Sequence, residues 1–202
     1  MTTTSTPIRV VGLGGTLREN STSLWALQRA LEAARAEGAT TQLLDLRRLD
    51  LPMYQPDWDL EDYGENVQDF IRVMRHADAF LISTAAYHGT LAGITKNALD
   101  YLEFLAEAPR PYLHNKPVGL IATASGDMAD VNSIRAMIDV VHSVRGYVLP
   151  LSVPIHHASK SFDKEGNVLN EKIAARLAQL GKMAVETASH FRPITVSEPA
   201  AL

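Results

Sequence analysis

Five short apolar runs alternate with five helical patterns along this chain, and few architectures accept that order. The runs Ile8–Val11, Thr41–Leu46, Ala79–Ser83, Val118–Thr123 and Tyr147–Val153 each have the length of one buried parallel strand. Between and after them, Leu24, Leu27, Leu31 and Ala34 share one helical face. So do Val67, Phe70, Ile71 and Met74, then Ala98, Leu102 and Leu105, then Ile134, Ile138 and Val141, then Ile173, Leu177, Leu180 and Ala184. Parallel neighbours need a crossover, and right-handed crossovers lay helices over both faces of the sheet. The expectation is a three-layer, doubly wound α/β fold around a five-stranded parallel sheet of order 2-1-3-4-5. In such sheets ligands bind beyond the carboxyl ends of the strands at the switch point. That point brings together residues 12–23, after the first strand, and residues 84–94, after the third.

The first of these loops reads Gly12-Leu13-Gly14-Gly15-Thr16-Leu17-Arg18-Glu19-Asn20-Ser21-Thr22-Ser23. Glycines allow a sharp turn and a close approach of backbone to ligand, and the following helix aims free N–H groups and its positive dipole end at the same point. No Gly-Lys-Ser/Thr closes the motif, which excludes a P-loop. A dinucleotide fingerprint shares Gly12 and Gly14, and Asp45 would then hold a ribose, but its third glycine falls at Leu17, where a bulky side chain impedes helix–strand packing. Several hydroxyls and one arginine suit a terminal monophosphate, whose three oxygens take separate donors. This is the demand made by FMN, with Gly15, Thr16, Arg18, Asn20, Ser21, Thr22 and Ser23 as the candidate phosphate group. A turn that merely joins strand to helix, capped by Ser21 or Ser23, explains one or two hydroxyls and not four plus Arg18.

The second loop, Ser83-Thr84-Ala85-Ala86-Tyr87-His88-Gly89-Thr90-Leu91-Ala92-Gly93-Ile94-Thr95-Lys96-Asn97-Ala98-Leu99-Asp100-Tyr101, suits a flat ring. Tyr87 and His88 offer planar surfaces, and Gly89 lets a backbone N–H approach a ring edge. Together the two loops resemble the NADPH-dependent FMN reductase family of flavodoxin-like proteins. Its pattern is Gly-Ser-x-Arg-x-x-Ser-x-Asn in the first loop and Pro-x-Tyr-Asn-Gly-Ser, a spacer and Leu-Lys-Asn-Ala-x-Asp in the second. Here Thr16 stands for the usual Ser, Ala85 and Ala86 for Pro-Glu, and His88 for Asn. The resemblance implies a flavodoxin-like fold with FMN phosphate at Thr16, Arg18, Ser21 and Ser23. It places the isoalloxazine against Tyr87, His88 and Gly89, with Ala85, Ala86 and Thr90 of the same loop also cofactor-binding and Ser125 and Gly126 of a third segment near its pyrimidine edge. It further implies hydride transfer from NADPH or NADH to flavin N5, with Tyr87, His88 and Gly89 as the catalytic set, and a small-molecule acceptor such as free flavin, a quinone or an azo compound. Homodimers or homotetramers are implied too, and the faces at Tyr101, Leu102 and Leu105 are the expected contact. The alternative is a flavodoxin-like one-electron carrier that does not oxidise nicotinamides, or, without flavin, a regulator that binds NAD.

The rest of the chain narrows these classes. The absence of cysteine removes disulfides, thiolate nucleophiles and zinc–thiolate sites, so redox work falls to a cofactor. A net charge of −4 without a basic run gives no footprint for nucleic acid or anionic membrane, and it is mild for an electron carrier with an acidic docking face. No leader or spanning segment is legible, and a cytoplasmic location is the expectation. A single FMN-binding domain is expected over residues 1–192, with a mobile or contact-forming tail at 193–202. His156 and His157 read as adjacent strand residues facing opposite ways, and no metal site is expected. Lys96, Asn97 and Asp100 read as organisers of a helix start, Trp58 as either a substrate-mouth or a subunit-contact residue, and Arg47, Arg48 and Arg110 as open candidates for a coenzyme 2′-phosphate.

Overall fold

The computed structural model describes residues 6–192. Strand β1 (Arg9–Gly14) leads into α1 (Thr22–Ala36), β2 (Thr40–Asp45) and the one-turn α2 (Leu46–Leu49); a loop with a 3₁₀ turn at Leu60–Asp62 precedes α3 (Glu65–His76). Strand β3 (Ala79–Tyr87) folds back through the short β4 (Thr90–Leu91) into α4 (Gly93–Asp100), which tightens into a 3₁₀ segment at Tyr101–Leu105. Then follow β5 (Pro117–Thr123), α5 (Ala129–Ser143), β6 (Tyr147–Ile155), the one-turn α6 (Ala158–Ser161) and α7 (Glu171–Phe191). The main sheet runs β2-β1-β3-β5-β6, all parallel, with β4 antiparallel on the end of β3. This is the 2-1-3-4-5 order and the flavodoxin-like fold expected from the alternation.

Side chains leave successive strand residues on opposite faces, and the sheet divides its apolar residues accordingly. Val11, Leu13, Phe80, Ile82, Val118, Leu120 and Ala122 face the layer of α3, α4 and α5, where Phe70, Ile71, Met74, Tyr101, Met137 and Val141 are buried. Val10, Ala79, Leu81, Ile121 and Val153 face α1 and α7, against Leu27, Ala30, Leu31, Leu177, Leu180 and Ala184. On that side Gly181 of α7 lies against α1: a Cβ there would sit 2.1 Å from Ala30 O and 3.0 Å from both Ala33 Cβ and Ala34 N.

Three strands run further than the apolar runs predict, and the reason is packing. Gly12 and Gly14, expected in the ligand loop, belong to β1. A Cβ on Gly12 would meet Leu31 Cδ1 at 2.6 Å, and one on Gly14 would meet Ser83 O at 2.5 Å, so their bareness lets α1 and β3 close on β1. The ligand loop therefore begins at Gly15. Similarly β3 continues through Thr84–Tyr87 and β6 through Pro154–Ile155. The apolar face expected to join subunits is a correction of substance: Tyr101, Leu102 and Leu105 are all buried inside this chain and present nothing to a neighbour. Trp58 is half exposed and rests on Tyr63, ring centroids 5.2 Å apart. The expected tail, 193–202, lies outside the described residues. Among the described residues no helix is long and apolar enough to cross a membrane.

At the opposite end of the sheet from the ligand loops, Lys116 is buried at the mouth of β5. Its Nζ donates to Met74 O at 3.0 Å and Arg75 O at 2.9 Å, carbonyls of the last turn of α3, and lies 5.5 Å from the centre of the Phe80 ring. Those carbonyls have no partner within the helix. Burial pushes the ammonium pKa down to about 8, with Arg110 adding to the shift.

Candidate functional site

Just past β1 the backbone turns at Gly15, whose φ of +97° is a conformation L side chains rarely adopt. Thr16 then tucks in, nearly buried, and its Oγ1 accepts from Arg18 N at 3.2 Å. Leu17, Arg18, Glu19 and Asn20 stand exposed, and Glu19 leans away onto Arg47 at 3.3 Å. Ser21 caps α1: its Oγ accepts from Leu24 N at 3.3 Å and its carbonyl from Trp25 N at 3.0 Å. Among the described residues the N–H groups of Leu17, Glu19, Asn20, Thr22 and Ser23 have no intrachain acceptor. The loop and first helical turn thus hold a set of free donors at the positive end of a fifteen-residue helix.

Beside this loop lies the end of β3. Ala86 pairs with Leu91 and Tyr87 with Thr90 across a two-residue hairpin, so His88 (φ 50°) and Gly89 (φ 85°) form a turn with both residues left-handed, the primed geometry that matches strand twist. Sequence reasoning read this stretch as an open loop; two residues of β4 are too few to carry a strand signal. The hairpin is tied down by Thr84, whose Oγ1 accepts from Ala92 N at 3.0 Å and shares a hydrogen bond with Thr95 Oγ1, also 3.0 Å. Lys96 pairs with Asp100 one turn further along α4, and Asn97 accepts from Tyr54 N at 2.9 Å and donates to Pro52 O at 2.7 Å; these roles are structural, but the Asn97 bonds tie residues 52–54 to the helix and neither role organises its start.

The third wall comes from β5 and β6. Thr22 Oγ1 donates to Thr123 Oγ1 at 3.4 Å, joining the first loop to the end of β5. Ala124 N bonds Ile155 O and Ala158 N bonds Ala124 O, so the turn after β6 is stitched to the loop after β5. His156 and His157 lie in that turn, beyond the end of β6, and not on the strand where periodicity placed them. His157, itself left-handed at φ 44°, has Nδ1 3.0 Å from Ser125 O and Nε2 2.7 Å from Asp127 Oδ1. His156 Nδ1 lies 2.6 Å from Asp130 Oδ2, a fully buried oxygen approached off the line of a hydrogen bond. Among the described residues no group of three or more His, Cys, Asp or Glu is arranged to hold a metal ion.

The three walls enclose a cavity of about 220 Å³ lined by Thr16, Arg18, Asn20, Ser21, Thr22, Ala85, Ala86, Tyr87, Thr123, Ala124, Ser125, Ala158 and Ser159. Nine of the candidate cofactor residues meet there. Gly15 lies behind it in the turn, and Ser23 is wholly buried with its carbonyl on Ser83 Oγ at 2.8 Å. His88, Gly89 and Thr90 sit at the exposed hairpin tip, and Gly126 stands in open space. Thr123, Ala124, Ala158 and Ser159 were missed by sequence reasoning, although each lies at or just past a strand's carboxyl end, where the switch-point rule directs attention. The lining has hydroxyls, amides and one guanidinium but no carboxylate, a donor set that suits a phosphate monoester.

Comparison with known proteins gives the family. The profile of the NADPH-dependent FMN reductase family matches residues 8–160. An NAD(P)H-dependent FMN reductase of Pseudomonas aeruginosa is 28% identical over 178 residues, covering 87% of this chain and 92% of its own. An FMN-dependent NADPH-azoreductase of Staphylococcus haemolyticus is 29% identical over 123 residues, 61% of each chain. In three dimensions the chain is similar to FerB, a flavoenzyme NAD(P)H:(acceptor) oxidoreductase of Paracoccus denitrificans, with a TM-score of 0.69 and 23% identity over 91% of this chain and 98% of that one. A flavodoxin from the domain Archaea shares the fold at a TM-score of 0.62 and 8% identity over 91% of this chain and 100% of its own. With both loop motifs at the mouth of one doubly wound sheet and the profile spanning both, the chain belongs to the NADPH-dependent FMN reductase family.

Proposed function

We propose that this chain binds FMN in the cavity beyond β1, β3 and β5 and uses NADPH or NADH to reduce a small-molecule acceptor, free flavin, a quinone or an azo compound. The observation that carries the reading is the carboxylate-free cavity at the capped N-terminus of α1, supplied with free backbone donors. Thr16, Ser21, Thr22, Asn20 and Arg18 hold the phosphate. The cavity volume, about 220 Å³, falls below the roughly 300–1,000 Å³ of whole small-molecule sites. It therefore has room for the phosphate and its adjoining chain, and the flat ring would lie at the mouth, where Tyr87 and the hairpin tip are exposed. Bound FMN would supply the redox chemistry, taking electrons from the nicotinamide and passing them to the acceptor. The protein's share is positional: Tyr87 and His88 would flank the ring, Gly89 would offer its N–H to the ring edge, and Ser125 and Gly126 would serve the pyrimidine side.

The test is a visible spectrum of the protein after FMN is added and the excess removed, then after NADPH under anaerobic conditions. Flavin bands that bleach support the reading. Bands that persist assign the chain to one-electron carriers, and a colourless protein removes FMN from the cavity. Light scattering of the loaded protein tests the homodimer or homotetramer that belongs to this reading; a monomer at micromolar concentration refutes it.

A further inference from the structure

A second depression lies on the far side of the turn that closes the cavity. It is a groove of about 900 Å³ between β6, α6 and the start of α7, and its walls include Lys160, Lys172 and Arg176. Lys160, Lys172 and Arg176 pair with no carboxylate among the described residues; Arg176 Nη2 donates only to Ser152 O, at 2.6 Å. Glu171 is the one acid of the lining, and His156 and His157 already face Asp130 and Asp127. The groove also has an apolar floor of Pro154, Ile173 and Leu169, the last 61% exposed. The N-terminal donors of α7 are not its source of attraction, because Asn170 Oδ1 takes Lys172 N and Ile173 N.

Cations above an exposed apolar floor suit a ligand that is both anionic and flat. We infer that the groove binds the 2′-phosphorylated adenosine end of NADPH, with Lys160 and Lys172 on the phosphate and the base on Leu169 and Ile173. This rests on the proposed flavin site. One turn separates the two places: Ala158 and Ser159 line the cavity, while His157 and Lys160 line the groove. A dinucleotide with its nicotinamide on the flavin would reach the groove by passing over that turn. The three arginines left open by the sequence are engaged elsewhere, Arg47 by Glu19, Arg48 by Asp45 and Arg110 by the carbonyls of His114 and Asn115.

The experiment is calorimetric titration of FMN-loaded protein with 2′,5′-ADP, with 5′-AMP and inorganic phosphate as comparison ligands, on wild type and on Lys160→Ala/Lys172→Ala. The wild type is expected to bind 2′,5′-ADP, the double variant about tenfold more weakly, the sum of two solvent-screened ion contacts, and Lys160→Arg/Lys172→Arg about as well as wild type. In steady state the alanine pair raises KM for NADPH about tenfold and leaves KM for NADH within about twofold. No binding of 2′,5′-ADP, binding unchanged in the alanine pair, or 5′-AMP or inorganic phosphate binding as tightly overturns the inference. If 2′,5′-ADP binding depends on the two lysines but NADPH never bleaches the flavin, the proposed activity falls and the groove stands.

Discussion

Replacing a helical glycine by alanine ordinarily stabilises a helix by about 1 kcal/mol; at Gly181 the structure demands the opposite sign. The added methyl would sit 2.1 Å from Ala30 O and 3.0 Å from Ala33 Cβ and Ala34 N, and two of these three atoms are helix backbone that cannot rotate away. Restoring an ordinary contact requires α1 and α7 to part by about 1 Å, and a gap of that size forfeits about a quarter to a half of each dispersion contact across the seam. Leu27, Ala30, Leu177, Leu180 and Ala184 all lie in that seam. Overpacking of this kind costs about 1–3 kcal/mol; taking the upper value and subtracting the propensity gain leaves a net loss of about 2 kcal/mol. For a chain of this length that lowers Tm by about 4–8 °C. Thermal unfolding followed by circular dichroism, with urea melts to check that the slope is unchanged, measures it. Gly93→Ala is the internal control, since nothing lies within 4 Å of a Cβ there, and its Tm should hold or rise. A Gly181→Ala protein as stable as wild type would refute the packing argument.

Lys116 titrates at about 8 in the folded chain and at 10.5 when unfolded. Between those values the unfolded state binds more protons, so stability rises with pH across about 8 to 10.5, by up to about 3 kcal/mol. Its neutral amine keeps two N–H groups for Met74 O and Arg75 O. Lys116→Met should abolish that rise in denaturant melts taken at pH 7.5 and 10.5; a variant with the same slope would show that another group titrates. Arg18→Ala should weaken FMN about tenfold, the usual worth of one charge-assisted contact, in a fluorescence titration, with Tm of the flavin-free protein unchanged. His88→Ala should change acceptor turnover at least about threefold while leaving FMN affinity within about twofold, as its place at the exposed tip of the hairpin requires; equal loss of both would place His88 in flavin retention.

The layered architecture was legible because burial on both faces demands long apolar runs, and such runs survive in the sequence whatever the loops do. The first ligand loop was legible in its hydroxyls for a related reason: unpaired helix N-termini need polar side chains nearby. What escaped was decided by contacts distant in sequence. Gly12 and Gly14 look like turn residues until Leu31 and Ser83 are seen to need their space. Ser23 reads as a donor to ligand, yet it is wholly buried at the second residue of α1 and its hydroxyl pairs with Ser21 Oγ at 3.0 Å. Tyr101, Leu102 and Leu105 read as an amphipathic surface because nothing in their spacing reveals that residues 52–63 fold over them, with Tyr101 donating from its hydroxyl to Pro52 O and packing against Tyr54 and Tyr63. Asp127 and Asp130 carry no signal at all until the turn after β6 arrives beside them.

The two-residue hairpin after β3 has an implication for how a protein of this kind diversifies. Everything that fixes its base lies at or below the Tyr87–Thr90 pair: the β4 ladder and the Thr84 hydroxyl on Ala92 N. The apex, residues 88 and 89, is bound only by the need for left-handed backbone, which Asn-Gly, Asp-Gly and His-Gly all meet. Exchange at position 88 among residues that tolerate a positive φ, such as Asn, Asp, Gly and His, leaves strand register and core untouched, whereas a β-branched residue there carries a backbone penalty. A library confined to position 88 samples new chemistry at the mouth of the sheet on a scaffold that does not change.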